Sequence, residues 1–245
     1  MGLFLNTFLI LFCFQGMTVY CEEIRAIFAC DTISDIKVST KHDVSNLTKA
    51  LSTIAKQTNL SLKIDTLEGR ELTHHRLNAK IDSLRGKNNG VVLFYYSGHG
   101  FRTDRMSTIW PRLYFPAKKE RVLTEEITEK LKSLGARLVI ILLDCCNNPA
   151  IVKSPLMVLR AKGVGQPRNM PGLKTLFLRS RGTVIASGSS PGGFSFSYKT
   201  GSIFTSSFID ALSDRCLSEQ TSWQAVMEQT IARCAPVQQP IYRIS

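Results

Sequence analysis

The chain has 245 residues, 44 % of them hydrophobic and 20 % charged, which excludes an intrinsically disordered or collagen-like chain and suits one large buried core. No internal repeat stands out, so solenoid and propeller architectures are excluded as well. Lys and Arg number 31 against 19 Asp and Glu, a formal charge of +12. Such a balance favours acidic surroundings, nucleic acid or anionic lipid among them. No basic stretch is interleaved with aromatics, however, so no specific nucleic-acid partner is predicted and the charge is read as a solvated surface.

Residues 1–20 hold no Asp, Glu, Lys or Arg, and the run from Gly2 to Phe14 is apolar enough for the core of a signal peptide. Residues 1–21 are therefore read as a signal peptide, with an uncleaved membrane anchor or a buried terminal helix as alternatives. That reading makes the protein exported, or membrane-associated through residues 3–20, with residues 22–245 as one folded domain. Ile24–Cys30 reads as a first strand. Asp43–Gln57 reads as an amphipathic helix, because Val44, Leu47, Leu51 and Ile54 recur at helical spacing. Leu60–Ile64 is a second strand, and Thr73–Leu84 a helix capped by Thr73.

Val91–Tyr96 is an unbroken apolar run, as a strand buried on both faces requires, and it leads into Ser97-Gly98-His99-Gly100. Thr124–Leu134 is predicted helical, capped by Thr124 and stopped by Gly135. A second apolar run, Leu138–Leu143, ends in Asp144-Cys145-Cys146. Asn147–Arg181 contains four prolines and seven Lys or Arg, and is predicted to be a long exposed basic loop. Thr183–Ser187 is a further strand, Phe204–Leu212 and Trp223–Cys234 are helices, and Ile241–Ile244 is a short last strand. Strands alternating with helices give an α/β fold with a mostly parallel sheet.

Ligands of such sheets bind beyond the carboxyl ends of the strands. Neighbouring placement of the two apolar strands would bring His99 and Cys146 to one edge. Of the four histidines, His42, His74, His75 and His99, only His99 follows a buried strand and stands between glycines. A thiol beside an imidazole ionises more readily, and its thiolate attacks carbonyl carbon. Cys145 is expected to point inward as an apolar filler while Cys146 faces the cleft. The backbone N–H groups of Gly100 and Cys146 are candidates for an oxyanion site. The other cysteines, Cys13, Cys21, Cys30, Cys216 and Cys234, show no zinc spacing, and a Cys216–Cys234 bridge is an option in an exported protein.

Tyr95–Gly100, Leu143–Pro149, Thr183–Gly192 and Gly201–Phe208 together resemble the clan of caspases, and within it metacaspases and bacterial caspase-like proteases. The resemblance spans about Ile24 to Leu212. It implies a caspase-haemoglobinase-like three-layer sandwich and a Cys–His dyad endopeptidase, with His99 as general acid/base and Cys146 as nucleophile. It also implies that Asp43, Ser97 and Asp144 line a substrate pocket for the Arg or Lys before the cut bond. Thr40 stands where metacaspases usually carry cysteine. The acidic cluster that binds calcium in some metacaspases is mostly absent from the region of Asp104, Lys118, Lys119, Glu120, Glu125 and Glu126, so no metal and no cofactor is expected. Asn147-Asn148-Pro149 after Cys146 departs from the family's usual residues, which favours the first of two alternatives. One is a caspase-like pseudoenzyme or partner-binding module; the other is a thiol-dependent transferase or deacylase.

Overall fold

The computed structural model describes residues 23–86, 90–103, 105–149 and 169–245. The apolar amino-terminal segment 1–21 and most of the basic stretch 147–181 lie outside the described residues. Among the described residues, no helix is long and apolar enough to cross a membrane.

The strands, in chain order, are β1 (Glu23–Cys30), β2 (Ser61–Glu68), β3 (Val91–Ser97), β4 (Gly100–Phe101), β5 (Arg112–Phe115), β6 (Glu120–Leu123), β7 (Leu138–Asp144), β8 (Gly182–Ser187), β9 (Ser197–Tyr198), β10 (Gly201–Ser202) and β11 (Ile241–Ile244). The helices are α1 (Lys37–Thr58), α2 (His74–Asp82), α3 (Thr124–Lys132), α4 (Gly172–Lys174), α5 (Ile203–Arg215) and α6 (Trp223–Cys234). Six strands form the central sheet in the order β11-β8-β7-β3-β1-β2, parallel except for β11, which runs antiparallel to β8. The mostly parallel α/β architecture expected from the sequence is thus the one observed.

The unbroken apolar runs are explained by cores on both faces of the sheet. In β3, Val91, Leu93 and Tyr95 enter one core with Leu47, Leu51 and Ile54 of α1, Phe204 and Phe208 of α5, and Trp223 of α6. Val92, Phe94 and Tyr96 enter the other, with Leu77 and Ile81 of α2 and Ile127 and Leu131 of α3. Strand β7 divides in the same way, since successive side chains of a strand point to opposite faces. The result is three layers of helix, sheet and helix.

Several expectations need correction. Helix α1 begins at Lys37, six residues before Asp43, so Asp43 sits inside the helix, buried, and not at its start. Thr73 does cap α2, accepting from the Arg76 N–H. Thr124 does not cap α3: Leu123 occupies the cap position, and the Thr124 hydroxyl donates to the Pro111 carbonyl at 2.6 Å. Gly135 takes a positive φ of 73° just past the end of that helix, as expected of a stop. The end of the expected basic loop is not a loop. Residues 172–179 form α4 and a π-turn, and Leu173, Leu176 and Phe177 are buried in the core, with the Phe177 and Trp223 rings edge to face at 5.3 Å. Cys216 and Cys234 are separate buried thiols, not a bridge, each pushed up to about 12 by burial. The antiparallel β4–β6 ribbon and the β9–β10 pair have no counterpart in the sequence reading.

Candidate active site

Strands β3 and β7 are parallel neighbours, and Ser97 is the register partner of Asp144. The segments that follow, Gly98-His99-Gly100 and Cys145-Cys146, therefore leave the same edge side by side. Their backbones are tied together: the Gly98 N–H donates to the Asp144 carbonyl at 3.3 Å, and the Arg102 N–H to the Asn148 carbonyl at 2.9 Å. Gly100 is pressed so closely on this loop that a Cβ there would overlap the Cys146 carbonyl oxygen and the Cys145 sulfur. A glycine is required by this approach.

His99 is almost fully buried, and its Nε2 lies 2.9 Å from Asp35 Oδ1. The hydroxyl of Tyr96, beneath the turn, lies 2.7 Å from the His99 carbonyl and 2.8 Å from that of Tyr114. Both cysteines are buried, at 2 % and 4 % exposure for Cys145 and Cys146. Cys145 belongs to the core and also lines the pocket described below, while Cys146 does not line it. Burial pushes the Cys145 thiol well above its ordinary value. The expected division, Cys145 inward and Cys146 facing the cleft, is not the one observed, because both are buried where the strand end packs under its loop and it is Cys145 that reaches the pocket. The Cys146 sulfur lies against the backbone of Ser195, 3.4 Å from its nitrogen and 3.6 Å from its oxygen.

Asn147, next after Cys146, is locked in place. Its N–H donates to the Gly193 carbonyl at 3.0 Å and its own carbonyl accepts from Gly192 at 2.7 Å. Its side chain donates to the Ile109 carbonyl and accepts from the Arg102 guanidinium. The departure from the family's usual residue after the cysteine is therefore built into a fixed loop.

Asp43, Ser97 and Asp144 come together in one pocket, with Ile36, Ser39 and Phe196 also on its walls. Asp144 accepts from the hydroxyls of Ser202, Thr205 (2.6 Å) and Ser195 (2.8 Å) and from the Thr205 N–H (3.1 Å). Burial raises its carboxyl above the usual range and these bonds pull it partway back. Asp43 is treated differently. One oxygen accepts from the Ser202 N–H at 2.8 Å; the other, Oδ2, is buried with no hydrogen-bond partner among the described residues. Its carboxyl stands well above the usual range, first because of burial and then because of the charge on Asp144. Ser97 Oγ donates to Thr40 Oγ1 at 3.2 Å, so Thr40 supports the pocket floor.

The sequence reading missed Asp35, which stands in a short turn with no motif around it. It also missed the three hydroxyls on Asp144, although Ser202 and Thr205 belong to a stretch already singled out. Among the described residues, no group of three or more His, Cys, Asp or Glu is placed to hold a metal ion.

The family model described as "Caspase domain" matches residues 31–240. None of the curated proteins compared matches the chain. Among solved structures, a protein from Geobacter sulfurreducens aligns at 14 % identity with a TM-score of 0.61, covering 91 % of this chain and 93 % of its own. Caspase-1 from Spodoptera frugiperda aligns at 16 % identity with a TM-score of 0.57, covering 91 % of this chain and 86 % of its own. Both likenesses are of fold.

Proposed function

We propose that this chain, which belongs to the caspase-domain family, is a cysteine endopeptidase with a Cys146–His99 dyad that cuts after Arg or Lys. The observation that carries the specificity is the buried Asp43 carboxyl, whose Oδ2 lacks a partner among the described residues in a pocket it shares with Asp144. A buried acid without a partner is costly, and a guanidinium is the group that repays that cost most fully, because its planar donors meet a carboxylate in two parallel bonds. Lysine offers a point charge to the same site.

In this reading His99 removes the proton from the Cys146 thiol. The thiolate forms a C–S bond to the scissile carbonyl carbon, and the carbonyl π pair moves onto oxygen. The N–H groups of Gly100 and Cys146 receive that oxyanion. Collapse of the intermediate breaks the C–N bond as His99 returns its proton to the leaving amine. Water, deprotonated by the same imidazole, then hydrolyses the thioester and restores the thiol. Rigid backbone ties between the two strand ends support the reading, since a nucleophile and its base must keep a fixed separation.

The test is turnover of matched fluorogenic peptides ending in Arg, Lys or Asp, under reducing conditions, beside Cys146→Ala. Turnover after Arg or Lys that vanishes in the variant is the expected result. Turnover only after Asp would keep the dyad and overturn the pocket. No turnover by folded wild type would favour a binding module that keeps the fold, and turnover of esters alone a deacylase or transferase. The amino-terminal segment supports export as a proposal of its own, to be checked by the amino-terminal sequence of protein recovered outside the cell.

A further inference from the structure

We propose that Asp35 is a positioning residue for His99, so that the dyad works as a Cys146–His99–Asp35 relay; this rests on the cysteine-peptidase reading above. Asp35 Oδ1 stands 2.9 Å from His99 Nε2, within hydrogen-bond reach. An imidazole that donates Nε2–H to a carboxylate is held in one tautomer. Nδ1 is then the ring nitrogen with a lone pair, and so the one that takes the thiol proton. When it does, the imidazolium formed faces a fixed negative charge, which favours the ion pair of thiolate and imidazolium.

The placement of Asp35 is built and not the chance contact of a surface acid. It lies in the tight segment between β1 and α1. Asp31, fully buried at the start of that segment, accepts from the N–H groups of Ile33 (3.2 Å) and Ser34 (3.1 Å), a side-chain turn that folds the chain back. The Asp31 N–H donates to the Ser97 carbonyl at 2.9 Å, which pins the segment to the end of β3, two residues before His99. The Lys37 N–H closes onto the Ser34 carbonyl at 3.2 Å as α1 begins. The backbone from Asp31 to Lys37 is thus tied down on both sides of Asp35. Asp35 itself is 37 % exposed in its side chain while His99 is 10 % exposed, so water weakens the pairing.

The experiment uses the full chain with Asp35→Ala and Asp35→Glu. On an Arg-ended peptide, Asp35→Ala is expected to lower kcat about 10- to 100-fold, toward the low end of what general acid–base catalysis supplies, because the carboxylate is half solvated. KM should stay within about twofold, since Asp35 does not touch the pocket. Asp35→Glu should recover part of kcat. The second readout is independent of turnover: ring ¹⁵N NMR of histidine-labelled Cys146→Ala protein, with His99 assigned by comparison with His99→Gln. His99 is expected as the Nε2–H tautomer, and adding Asp35→Ala should mix the tautomers. Unchanged kcat, or an unchanged tautomer in Asp35→Ala, overturns the proposal. Should wild type cleave no peptide, the peptidase reading falls while the ring shifts still decide whether Asp35 orients His99.

Discussion

Ser97 and Asp144 sit opposite each other as the last residues of two adjacent parallel strands. That one pairing does two things. It delivers His99 and Cys146 to a common edge, and it puts one side chain from each strand end into the pocket that Asp43 completes.

Asp43 sets function against stability. Its folded carboxyl is raised, so the native state holds a proton more tightly than the unfolded chain does. Its burial is therefore least costly below the ordinary carboxylate range, and stability falls as pH rises through the folded value. Asp43→Asn keeps an acceptor for the Ser202 N–H and removes the charge. It should make the protein more stable at neutral pH while lowering kcat/KM for Arg peptides by about 10- to 100-fold, the worth of one hydrogen bond to a charged group. Urea unfolding and peptide kinetics on the same variant check both halves. For wild type, KM for Arg peptides should fall as pH rises through the Asp43 titration, because the ionised form is the one that binds.

Thr205 serves two buried partners. Its hydroxyl donates to Asp144 at 2.6 Å and lies 2.8 Å from the Tyr95 hydroxyl. Thr205→Val keeps the volume, takes one of four donors from Asp144 and removes the hydroxyl that faces Tyr95. A loss of about 1–3 kcal/mol in unfolding free energy is expected, the usual cost of leaving a buried polar group without a partner. A neutral result would mean that Ser202 and Ser195 suffice for Asp144.

Gly100→Ala tests the tie between the two strand ends. The added methyl has nowhere to go except into the Cys145 sulfur and the Cys146 carbonyl, so the nucleophile loop must shift. The variant should lose about 1–3 kcal/mol, as overpacked sites do, and lose turnover more completely than stability. Denaturant unfolding with an activity assay separates the two effects.

Phe177→Ala tests the corrected boundary of the basic stretch. A ring in an exposed loop can be removed at little cost. A ring buried against Trp223 should cost about 3–5 kcal/mol on truncation, read as a lower denaturation midpoint.

Much of the fold was legible from patterns of a few residues. The runs Val91–Tyr96 and Leu138–Leu143 read as strands buried on both faces, and Trp223–Cys234 and Ile241–Ile244 were read with the boundaries the structure has. These signals are local, since alternation and helical spacing depend on near neighbours. The start of α1 was missed because Lys37–His42 holds only one apolar residue, Val38, and so shows no helical periodicity. Ser39 and Thr40 are nonetheless buried there by the strands they pack on, a reason that exists only in three dimensions. The tail of the basic stretch was misread for the opposite reason: four prolines and many cations upstream masked Leu173, Leu176 and Phe177, which the core takes in.

By itself, then, the sequence determined an α/β chain with a histidine and a cysteine after two buried strands, because strand propensity and apolar patterning act over a handful of residues. The tertiary structure decided what surrounds them. That Asp144 is held by three hydroxyls, while Asp43 keeps a buried oxygen without a partner among the described residues, depends on contacts across 51 to 159 positions of chain. That Asp35 meets His99 depends on a contact 64 positions apart. Such contacts leave no periodicity to read, since they arise only when the sheet brings β1, β3 and β7 edge to edge.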